Sequence, residues 1–502
     1  MIASMNSELA PTEASTAWRR TLALVACGMV GLLTACAGST DTGDTANTAD
    51  STIVPTAAAE QVASSNSFSV PDDTHADADD GEYAADGATT IALADGSSTI
   101  DGAGASVSGD IVTIAAAGTY VLSGSLTDGQ VVVNSTGEGK VELVLDGVDI
   151  ASSTTSPVVI NAADEVVVIL ADGSVNTLAD SAASSADDDA EDAPTATLFS
   201  MADLTIAGTG ALDVIGASND AISSKDGLVV LSGSLTVDAV DDGIRGKDYL
   251  VVEGGTIDVV AGGDGLRSDN DTTGELGWIR VDGGTVTVSA GSQGVDAVGA
   301  VDIADGVLTI VQSEEGIQAA AITIAGGAVA ITAADDGLNA TAHTVDGGGE
   351  QVEDGVFVAV SGGTVTIAAG SDGLDSNGSA ALTGGTVAIA VQGGGGGGNG
   401  ALDVNGTLTA PGVVTVDTNG VQAGQRVTVT DTSGTVVASF VATSSSASTV
   451  VVAEGIGSGG TYSVYAGDSS SSTSTDGLTE IGTVTATDAA EAGTGRGGGR
   501  RP

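Results

Sequence analysis

The chain has 502 residues, including 76 glycines, with 41% hydrophobic and only 2% aromatic residues, and its formal net charge at pH 7 is −55. Polyanions repel so acidic a chain, which argues against nucleic acid and anionic lipid surfaces as partners. Many glycines and few aromatic residues indicate a narrow core of small aliphatic side chains between tight turns.

The N-terminal segment is typical of export followed by lipidation. Arg19 and Arg20 precede an apolar run over residues 22–33, and a cysteine follows at Cys36. The run is about 12 residues long, whereas a membrane-spanning helix needs about 20, so a signal peptide with a lipobox fits better than a transmembrane anchor. We predict a lipoprotein signal peptide over residues 1–35, lipidation of Cys36, and a lipid-anchored location on the extracytoplasmic face of the cell membrane.

Two segments separate this signal from the first regular repeat. Residues 36–88 are rich in Ala, Ser, Thr and Asp and almost lack bulky side chains, which predicts a disordered tether. Residues 89–207 contain alternating apolar runs, such as Val141 to Leu145, without the later period. Because a solenoid needs atypical ends to close its core, we interpret residues 89–207 as an N-terminal cap with irregular first coils.

Residues 208–410 carry two motifs that recur in step. The first is Asp-Gly, or a close variant, followed by an aliphatic residue, and its clearest copies begin at Asp242, Asp264, Glu315, Asp336 and Asp372. The second is a Gly-Gly turn before an alternating strand. The first inward residues of these strands are spaced by 21 to 23 residues, apart from two steps of 29 and 36: Leu212, Leu235, Ile257, Val286, Leu308, Val329, Val365 and Val387. Self-similarity at a fixed period indicates a solenoid.

Each predicted coil holds three short strands with apolar residues at alternate positions. We therefore predict an all-β fold, a right-handed parallel β-helix with coils of about 22 residues. A leucine-rich repeat would need its Leu and Asn pattern and a helical return, and the sequence has neither. A calcium-binding nonapeptide roll would close each coil in about 18 residues, which is shorter than the spacing in this chain.

The chain continues beyond the repeats in two predicted segments. Residues 411–467 contain further alternating apolar runs, including Val436 to Val441, and are interpreted as a small C-terminal β module. Residues 468–502 end in Arg496, Arg500 and Arg501 and are predicted to be a disordered tail.

Several stretches of the chain resemble a known family. They are Leu198 to Ser200, Asp203 to Ile206, Asp241 to Asp248, Gly263 to Asn270 and Asp336 to Ala340. Over about residues 90–465, the chain resembles the bacterial carbohydrate-binding domain-containing lipoproteins, whose β-helix is similar to that of calcium-dependent pectate lyases. The resemblance implies binding of extracellular polysaccharide with bound calcium and without established catalysis, and it assigns no individual ligands.

Insertions and basic residues localise a candidate site. Residues 269–277 and 343–355 interrupt the period, and inserted loops on one face of a solenoid often mark its binding face. The basic residues of the repeats all fall within three consecutive coils: Lys225, Arg245, Lys247, Arg267 and Arg280. Lys225 and Lys247 share one register and Arg245 and Arg267 another, which predicts short outward basic ladders with a spacing of about 4.8 Å.

The aromatic residues of the repeats also share one position in the repeat. Tyr249, Trp278 and Phe357 each lie five positions before a Gly-Gly turn, and this parity points them away from the core. Tyr249 and Trp278 are on adjacent coils beside the first insertion, where they could form a stacking platform for a sugar ring. The alternative is that they shield a corner of the solenoid.

Acidic residues surround these basic and aromatic side chains: Asp241, Asp242, Asp264, Asp269 and Asp271. Calcium takes about six to eight oxygen ligands in flexible geometry, so we predict that this cluster holds calcium. The alternative is that an Asp before Gly serves only to form the turn.

Three functions are compatible with these residues. The leading prediction is a monomeric, non-catalytic protein that binds an acidic pectin-like or a cellulose-like polysaccharide. The second is a calcium-dependent polysaccharide lyase, in which Lys225, Lys247 or Arg267 would act as the base. The third is a structural or adhesive surface rod. Because the sequence has no independent catalytic motif, we predict binding without catalysis.

Overall fold

The computed structural model describes residues 70–181, 193–342, 351–392 and 400–489. The elements within these ranges are all β-strands, so the all-β prediction is confirmed. The predicted signal peptide, Cys36 and the tether up to residue 69 lie outside the described residues, as does most of the second insertion. In the described part of the chain, no helix has the length and apolar character that crossing a membrane requires.

The strands that precede the regular repeats vary in length. They are β1 (Thr89–Leu93), β2 (Thr99–Asp101), β3 (Ala105–Ser108), β4 (Ile111–Ile114), β5 (Gly118–Leu126), β6 (Gln130–Asn134), β7 (Lys140–Ala151), β8 (Val158–Ala162), β9 (Glu165–Leu170), β10 (Val175–Ala179) and β11 (Ala196–Ser200).

The strands of the repeats are short and alternate between about three lengths. They are β12 (Asp203–Gly208), β13 (Ala211–Gly216), β14 (Asp220–Ser224), β15 (Gly227–Val230), β16 (Ser234–Ala239), β17 (Ile244–Gly246), β18 (Tyr249–Val252), β19 (Thr256–Ala261), β20 (Leu266–Ser268), β21 (Trp278–Val281), β22 (Thr285–Ala290), β23 (Gln293–Ala297), β24 (Ala300–Ile303), β25 (Val307–Gln312), β26 (Glu315–Ala319), β27 (Ala321–Ile324), β28 (Ala328–Thr332), β29 (Leu338–Ala340), β30 (Phe357–Val360), β31 (Thr364–Ala369), β32 (Leu374–Ser376), β33 (Ser379–Leu382), β34 (Thr386–Val391), β35 (Leu402–Val404) and β36 (Leu408–Thr409).

Three ladders of parallel strands run through these repeats. The first ladder contains β9, β12 and every third strand to β36, and the second contains β10, β13 and every third strand to β34. The third ladder contains β4, β6, β8, β11, β14 and every third strand to β35. Strand β7 pairs with both β9 and β10 and joins the first two ladders into one sheet.

The strand register follows the predicted period. Leu235 lies beside Ile257, Ile257 beside Val286, and Val286 beside Leu308. These residues are at most 1% exposed, as expected for inward positions. One strand from each ladder therefore forms a repeat, and equivalent apolar residues stack on one another from repeat to repeat.

All three ladders contribute to one buried hydrophobic cluster, which includes Ile244, Leu250 and Ile257. Burial of each such side chain contributes about 1.5–3 kcal/mol. The glycine of the Asp-Gly turn allows a close approach to this core. A Cβ atom on Gly243 would lie only 2.4 Å from Cγ1 of Val259, so the turn that leads into the third ladder requires glycine.

The last described strands are β37 (Val413–Asp417), β38 (Arg426–Thr430), β39 (Val436–Val441), β40 (Ser448–Ala453), β41 (Thr461–Gly467) and β42 (Thr479–Thr485). Strand β40 pairs antiparallel with β34 and β37, and thus ends the second ladder. Strands β39, β38, β41 and β42 form a separate four-stranded sheet.

The composition predicts a disordered tail over residues 468–502, and this prediction is wrong for β42. The strand pairs antiparallel with β41 over residues 479–485. Its side chains are mostly exposed, so backbone hydrogen bonds hold it in place. Composition reports on side-chain burial and does not detect such a strand.

Candidate functional site

From β14 to β35, each strand of the third ladder contributes one polar side chain to a row between two inward positions. Each row residue alternates with core residues, as Arg245 does with Ile244 and Gly246. In register order, this central row runs through Ser223, Arg245, Arg267, Asp296, Gln318, Asn339, Asp375 and Asp403. It begins with basic residues and ends with acidic ones.

A second row consists of the acidic residues of the Asp-Gly turns. The backbone amide of Asp264 donates to Oδ1 of Asp242 at 2.8 Å, and the amide of Gln293 donates to Oδ1 of Asp264 at 3.0 Å. The same bond recurs later, where the amide of Asp372 donates to Oδ1 of Asp336 at 2.8 Å. Each of these carboxylates thus links one repeat to the next, which is the turn role that the Asp-Gly chemistry predicts.

Arginines compensate the carboxylates in the earlier repeats. Nη1 of Arg267 lies 3.0 Å from Oδ2 of Asp242 and 3.2 Å from Oδ2 of Asp264, and Arg245 forms a 2.7 Å ion pair with Asp269. We call these five residues the early arginine cluster. Burial alone would lower the pKa of Arg267, but the charges of Asp242, Asp264 and Asp269 raise it.

Two buried carboxylates, Asp264 of this cluster and Asp220 in the neighbouring repeat, have raised pKa values. Burial raises the pKa of Asp264 to about 7, the charge of Asp242 adds to the rise, and Arg267 opposes it. Burial likewise raises the pKa of Asp220 to about 7. The guanidinium groups are therefore the resident counter-charge of a row of carboxylates that are otherwise costly to ionise.

The predicted calcium ligands do not form a shared donor set. Asp242, Asp264 and Asp269 already pair with guanidinium groups, while Asp241 and Asp271 are exposed. A cation would have to displace an arginine from these carboxylates. The arrangement therefore does not fit a calcium ion. The sequence predicts calcium here because it does not reveal that the arginines point at the same carboxylates.

The later repeats contain a different carboxylate group. Carboxylate oxygens of Glu315, Asp335 and Asp336 lie within 4.8 Å of one another, as do those of Asp336, Asp372 and Asp375. We call these five residues the late carboxylate cluster, in which Asp336 belongs to both triads. The sequence has no Lys or Arg between Arg280 and Arg426, so no basic side chain from these repeats can neutralise the cluster.

The environment of the late carboxylate cluster disfavours the ionised state. Burial raises the pKa of Asp375 to about 7, and the charges of Asp336 and Asp403 add to this effect. Burial also raises the pKa of Asp336 to about 6 and that of Glu315. Bringing carboxylates together in a partly buried site has this effect unless a cation is present.

The donor chemistry of the late carboxylate cluster fits a divalent cation. Carboxylate oxygens are the ligands that calcium prefers. The side chains of Asn339 and Gln293 hydrogen-bond to the Glu315 carboxyl group and oppose the rise in its pKa. Its Oε2 atom is buried and has no hydrogen-bond partner among the described residues, which is an arrangement that a cation ligand would explain. The sequence contains the relevant signal, since the Asp-Gly copies continue after the basic residues have stopped.

The predicted aromatic pair lies on the first ladder. Tyr249 and Trp278 are register partners, and their rings stack with centroids 4.8 Å apart and planes inclined by 8°. Gly227 is the preceding residue of this row, and a Cβ there would lie 2.3 Å from Cζ of Tyr249. The absence of a side chain at Gly227 therefore makes room for the tyrosine ring.

The aromatic pair is not an open platform. Trp278 is 1% exposed and Phe357 is 2% exposed, because Val70 and Ala76 pack against this hydrophobic cluster. We call residues 70–80 the strap. They belong to the segment that composition predicts to be a disordered tether, and this prediction is wrong for the strap because specific contacts hold it on the sheet.

The predicted basic residues divide between two faces. Lys225, Arg245, Lys247 and Arg267 lie on or directly after strands of the third ladder, whereas Arg280 lies in β21 of the first ladder. Nζ of Lys225 is 5.8 Å from the ring centroid of Phe199. Burial lowers the pKa of this lysine, and the charges of Arg245 and Lys247 lower it further.

Comparisons with known proteins are consistent with a polysaccharide-related class. Residues 108–356 match the family model described as carbohydrate-binding domain-containing protein. A carbohydrate-binding domain-containing protein of Acetivibrio thermocellus is 36% identical over 136 residues, which cover 27% of this chain and 48% of the relative. The chain thus spans about half the length of that relative.

A solved structure is also similar to this chain. It is the structure of a polysaccharide lyase-like protein from C. thermocellum, as a gadolinium derivative. The two share 29% sequence identity, with 48% of this chain and 92% of that chain covered, and the TM-score is 0.42. The sequence resemblance to carbohydrate-binding domain-containing proteins is confirmed by the family model and the curated relative.

Proposed function

We propose that this protein binds extracellular polysaccharide along the third ladder without cleaving it. The central row carries this proposal, because it offers one polar or charged side chain per repeat from Arg245 to Asp403. Neighbouring strands are about 4.8 Å apart, so the row is a linear array of donors and acceptors. Such an array suits an extended polymer better than a compact ligand.

We infer that the three ladders close into a right-handed parallel β-helix. Register partners such as Leu235 and Ile257 are 22 residues apart and both are buried. Parallel strands linked by a crossover are nearly always right-handed. In this arrangement, the outward rows of the first and third ladders are separate faces.

We propose calcium as the cofactor and place it at the late carboxylate cluster. Glu315, Asp335, Asp336, Asp372 and Asp375 would hold it. When bound, calcium would neutralise these carboxylates and attract the carboxylate of an acidic sugar. The chain's own contribution is to keep the carboxylates side by side through strand register, while Arg245 and Arg267 provide fixed positive charge at the other end of the row.

The cellular context is part of the same proposal. Lipidation of Cys36 would anchor the protein on the extracytoplasmic face of the cell membrane, where it would meet polysaccharide as a monomer. The acidic composition disfavours nucleic acid as a competing ligand.

A polysaccharide lyase is the second candidate function. The lowered pKa of Lys225 next to Arg245 favours it, since a lysine base must be neutral to accept a proton. In such a reaction, Lys225 would take a proton from the sugar carbon next to the uronate carboxylate, while Arg245 or Arg267 would stabilise the charge that develops. A carbon–carbon double bond would then form as the adjacent bond to the glycosidic oxygen breaks, and this leaving oxygen would take a proton from water. We propose binding as the primary function because the central row extends far beyond these residues.

Retention on immobilised polymer tests the proposal. The chain without residues 1–35 would be passed over polygalacturonate and over cellulose, with calcium or with a chelator, and the eluate analysed for unsaturated uronides. We expect calcium-dependent retention without new products. Accumulation of unsaturated uronide would show that the protein is a lyase and not only a binding protein. A Lys225→Met variant should then no longer form this product. An absence of retention on both polymers would favour a structural rod.

A further inference from the structure

The strap covers a face of the first ladder that has the features of a ligand site. On this face, Tyr249 offers a hydroxyl group, Arg280 a guanidinium group and Trp278 an indole N–H. Arg280 is 8% exposed and Trp278 is 1% exposed, so both polar groups are enclosed by the strap. Arg280 also lies against the indole, with Cζ 5.8 Å from the ring centroid.

The strap meets these groups with neutral acceptors. Nη1 of Arg280 donates to the backbone carbonyl of Pro71 and, at 3.1 Å, to that of Asp72. Nε of the same guanidinium pairs with Asp282 at 2.7 Å. These bonds are already charge-assisted because the guanidinium is ionised, but a sugar carboxylate adds an opposite charge and can accept two parallel N–H bonds from one guanidinium, which a single backbone carbonyl cannot.

The indole N–H of Trp278 is left without a partner under the strap. Nε1 is buried and has no hydrogen-bond partner among the described residues. A buried donor without an acceptor destabilises the closed arrangement, because its hydrogen bond to water is lost and not replaced. A ligand hydroxyl or carboxylate oxygen that accepted this hydrogen bond would remove the penalty, so the closed strap is not the best occupant of the face.

The strap is held by two further anchors of different kinds. In its middle, Nδ1 of His75 lies 2.6 Å from Oη of Tyr249 and Nε2 lies 3.0 Å from Oγ1 of Thr205. At its end, Nζ of Lys140 contacts Asp80 at 2.6 Å and Asp77 at 2.9 Å. Nδ1 of His75 also lies 3.2 Å from Oδ1 of Asp203. Lys140 pairs in addition with Glu165 at 2.9 Å, and this network of carboxylates around one lysine holds residues 77–80 in place when residues 70–76 lift.

From these contacts, we propose that the strap masks a second, acidic-glycan-binding face formed by Tyr249, Trp278 and Arg280, and that an acidic oligosaccharide displaces residues 70–76 from it. The proposal rests on the proposed polysaccharide-binding function and extends it to the first ladder. The strap is part of the same chain and therefore competes at a high effective concentration. The face consequently binds the oligosaccharide only weakly until the strap opens.

Thiol labelling of the strap tests this displacement. In a full chain with Cys27→Ser and Cys36→Ser, an Ala76→Cys substitution places a thiol at the partly buried strap residue that packs against the hydrophobic cluster containing Trp278. We expect saturating tetragalacturonate to raise the rate of its reaction with a thiol reagent at least about tenfold, because opening exposes the thiol. The matched control is Asp73→Cys, at an exposed strap position, which should react rapidly with or without the probe.

Affinity measurements separate this proposal from the proposed function. A His75→Ala variant loses the middle anchor and should bind tetragalacturonate about tenfold more tightly if the strap is closed in about nine molecules out of ten, and an added Arg280→Ala should abolish the gain. If the unmodified chain binds the probe while labelling of Ala76→Cys stays unchanged, the strap proposal is overturned and polysaccharide binding stands. If neither the unmodified chain nor His75→Ala binds the probe, both fail.

Discussion

The early arginine cluster and the late carboxylate cluster are built on the same rows but are neutralised differently. Both consist of Asp-Gly turn carboxylates stacked from repeat to repeat, as in Asp242 and Asp264 or Asp336 and Asp372. In the early cluster, Arg267 bridges two turn carboxylates. The late cluster has an aspartate, Asp375, in the row position of that arginine. The Asp-Gly turn thus belongs to the fold in both clusters, and the residue in the central row determines what neutralises the turn carboxylates.

This difference separates a permanent counter-charge from an exchangeable one. A guanidinium group is always charged and fixed by its side chain, so it serves one arrangement of carboxylates. Protons or a divalent cation can enter and leave the late cluster, in which the donor oxygens of each triad lie within 4.8 Å of one another. We therefore expect the late repeats to respond to a divalent cation and the early repeats not to, while raised carboxylate pKa values make both respond to pH.

Removal of the bridging arginine should have the largest effect. An Arg267→Ala substitution leaves Asp242 and Asp264 without their shared partner, whereas Asp269 keeps its ion pair with Arg245. Breaking a fully buried pair costs about 3–5 kcal/mol; the Arg267 side chain is 34% exposed, so we expect a loss of about 2–4 kcal/mol in the free energy of unfolding. Denaturant unfolding measures it.

The control for this substitution is Lys247→Ala. Lys247 follows Arg245 by two residues in the sequence. It makes none of the ion pairs found among the described residues. We expect a change within about 0.5 kcal/mol, as is usual for substitutions away from specific contacts. Equal losses for both variants would show that the arginine does not hold the carboxylates in place.

Calcium should stabilise the protein through the late cluster. A ligand that binds only the folded state adds about 2.7 kcal/mol when its concentration is 100 times its dissociation constant. We expect calcium to raise Tm by several degrees at pH 8, and an Asp336→Asn substitution to remove most of this shift because Asp336 belongs to both triads. Calorimetry in calcium and in chelator measures the shift.

The control substitution for the calcium response is Asp271→Asn, at an exposed position that sequence analysis assigns to the metal. Its calcium response should match that of the unmodified protein. If Asp271→Asn lost the calcium-dependent rise in Tm and Asp336→Asn kept it, the calcium site would lie in the early repeats instead.

Without calcium, stability should fall as pH rises. The pKa of Asp375 is about 7 in the folded protein and about 3.9 in an unfolded chain, so the folded state binds more protons between these values. Stability is then lost as pH increases toward 7. We expect an Asp375→Asn substitution to reduce the loss between pH 5 and pH 7.5 by about 1–2 kcal/mol. An Asp305→Asn substitution at an exposed turn should leave the pH profile unchanged.

The sequence predicts the all-β class and the strand register because both depend on local patterns. The spacing of residues such as Ile257 and Val286 is set by the repeat, and the structure pairs them directly. The aromatic neighbours Tyr249 and Trp278 follow from the same counting. Register within a periodic fold is therefore readable from a single chain.

Contacts between distant segments were not predictable in this way. The strap reaches Tyr249 from His75, which is 174 residues earlier in the chain, and nothing in its composition indicates that contact. Similarly, register shows that Arg245 and Arg267 are neighbours, but not that their guanidinium groups turn toward the turn carboxylates. Side-chain direction depends on the charges nearby. The late carboxylate cluster is therefore recognised only when the positions of the charged side chains in neighbouring repeats are known.

Conversion of the late repeats into the early type is the most direct test of the comparison. Arg267 contacts Asp264, three residues before it, and Asp242, in the preceding repeat. Asp375 has the same relation to Asp372 and to Asp336. An Asp375→Arg substitution should therefore place a guanidinium group between two turn carboxylates.

We expect the Asp375→Arg variant to gain about 1 kcal/mol of stability without calcium, as for a partly exposed ion pair, and to lose most of its calcium response. The control is Asp403→Arg in the next repeat, where Gly400 replaces the aspartate three residues earlier. With one potential partner fewer, this variant should retain its calcium response. If Asp375→Arg destabilises the chain and Asp403→Arg does not, the late repeats cannot accept an arginine, and their carboxylates are not equivalent to those that Arg267 bridges.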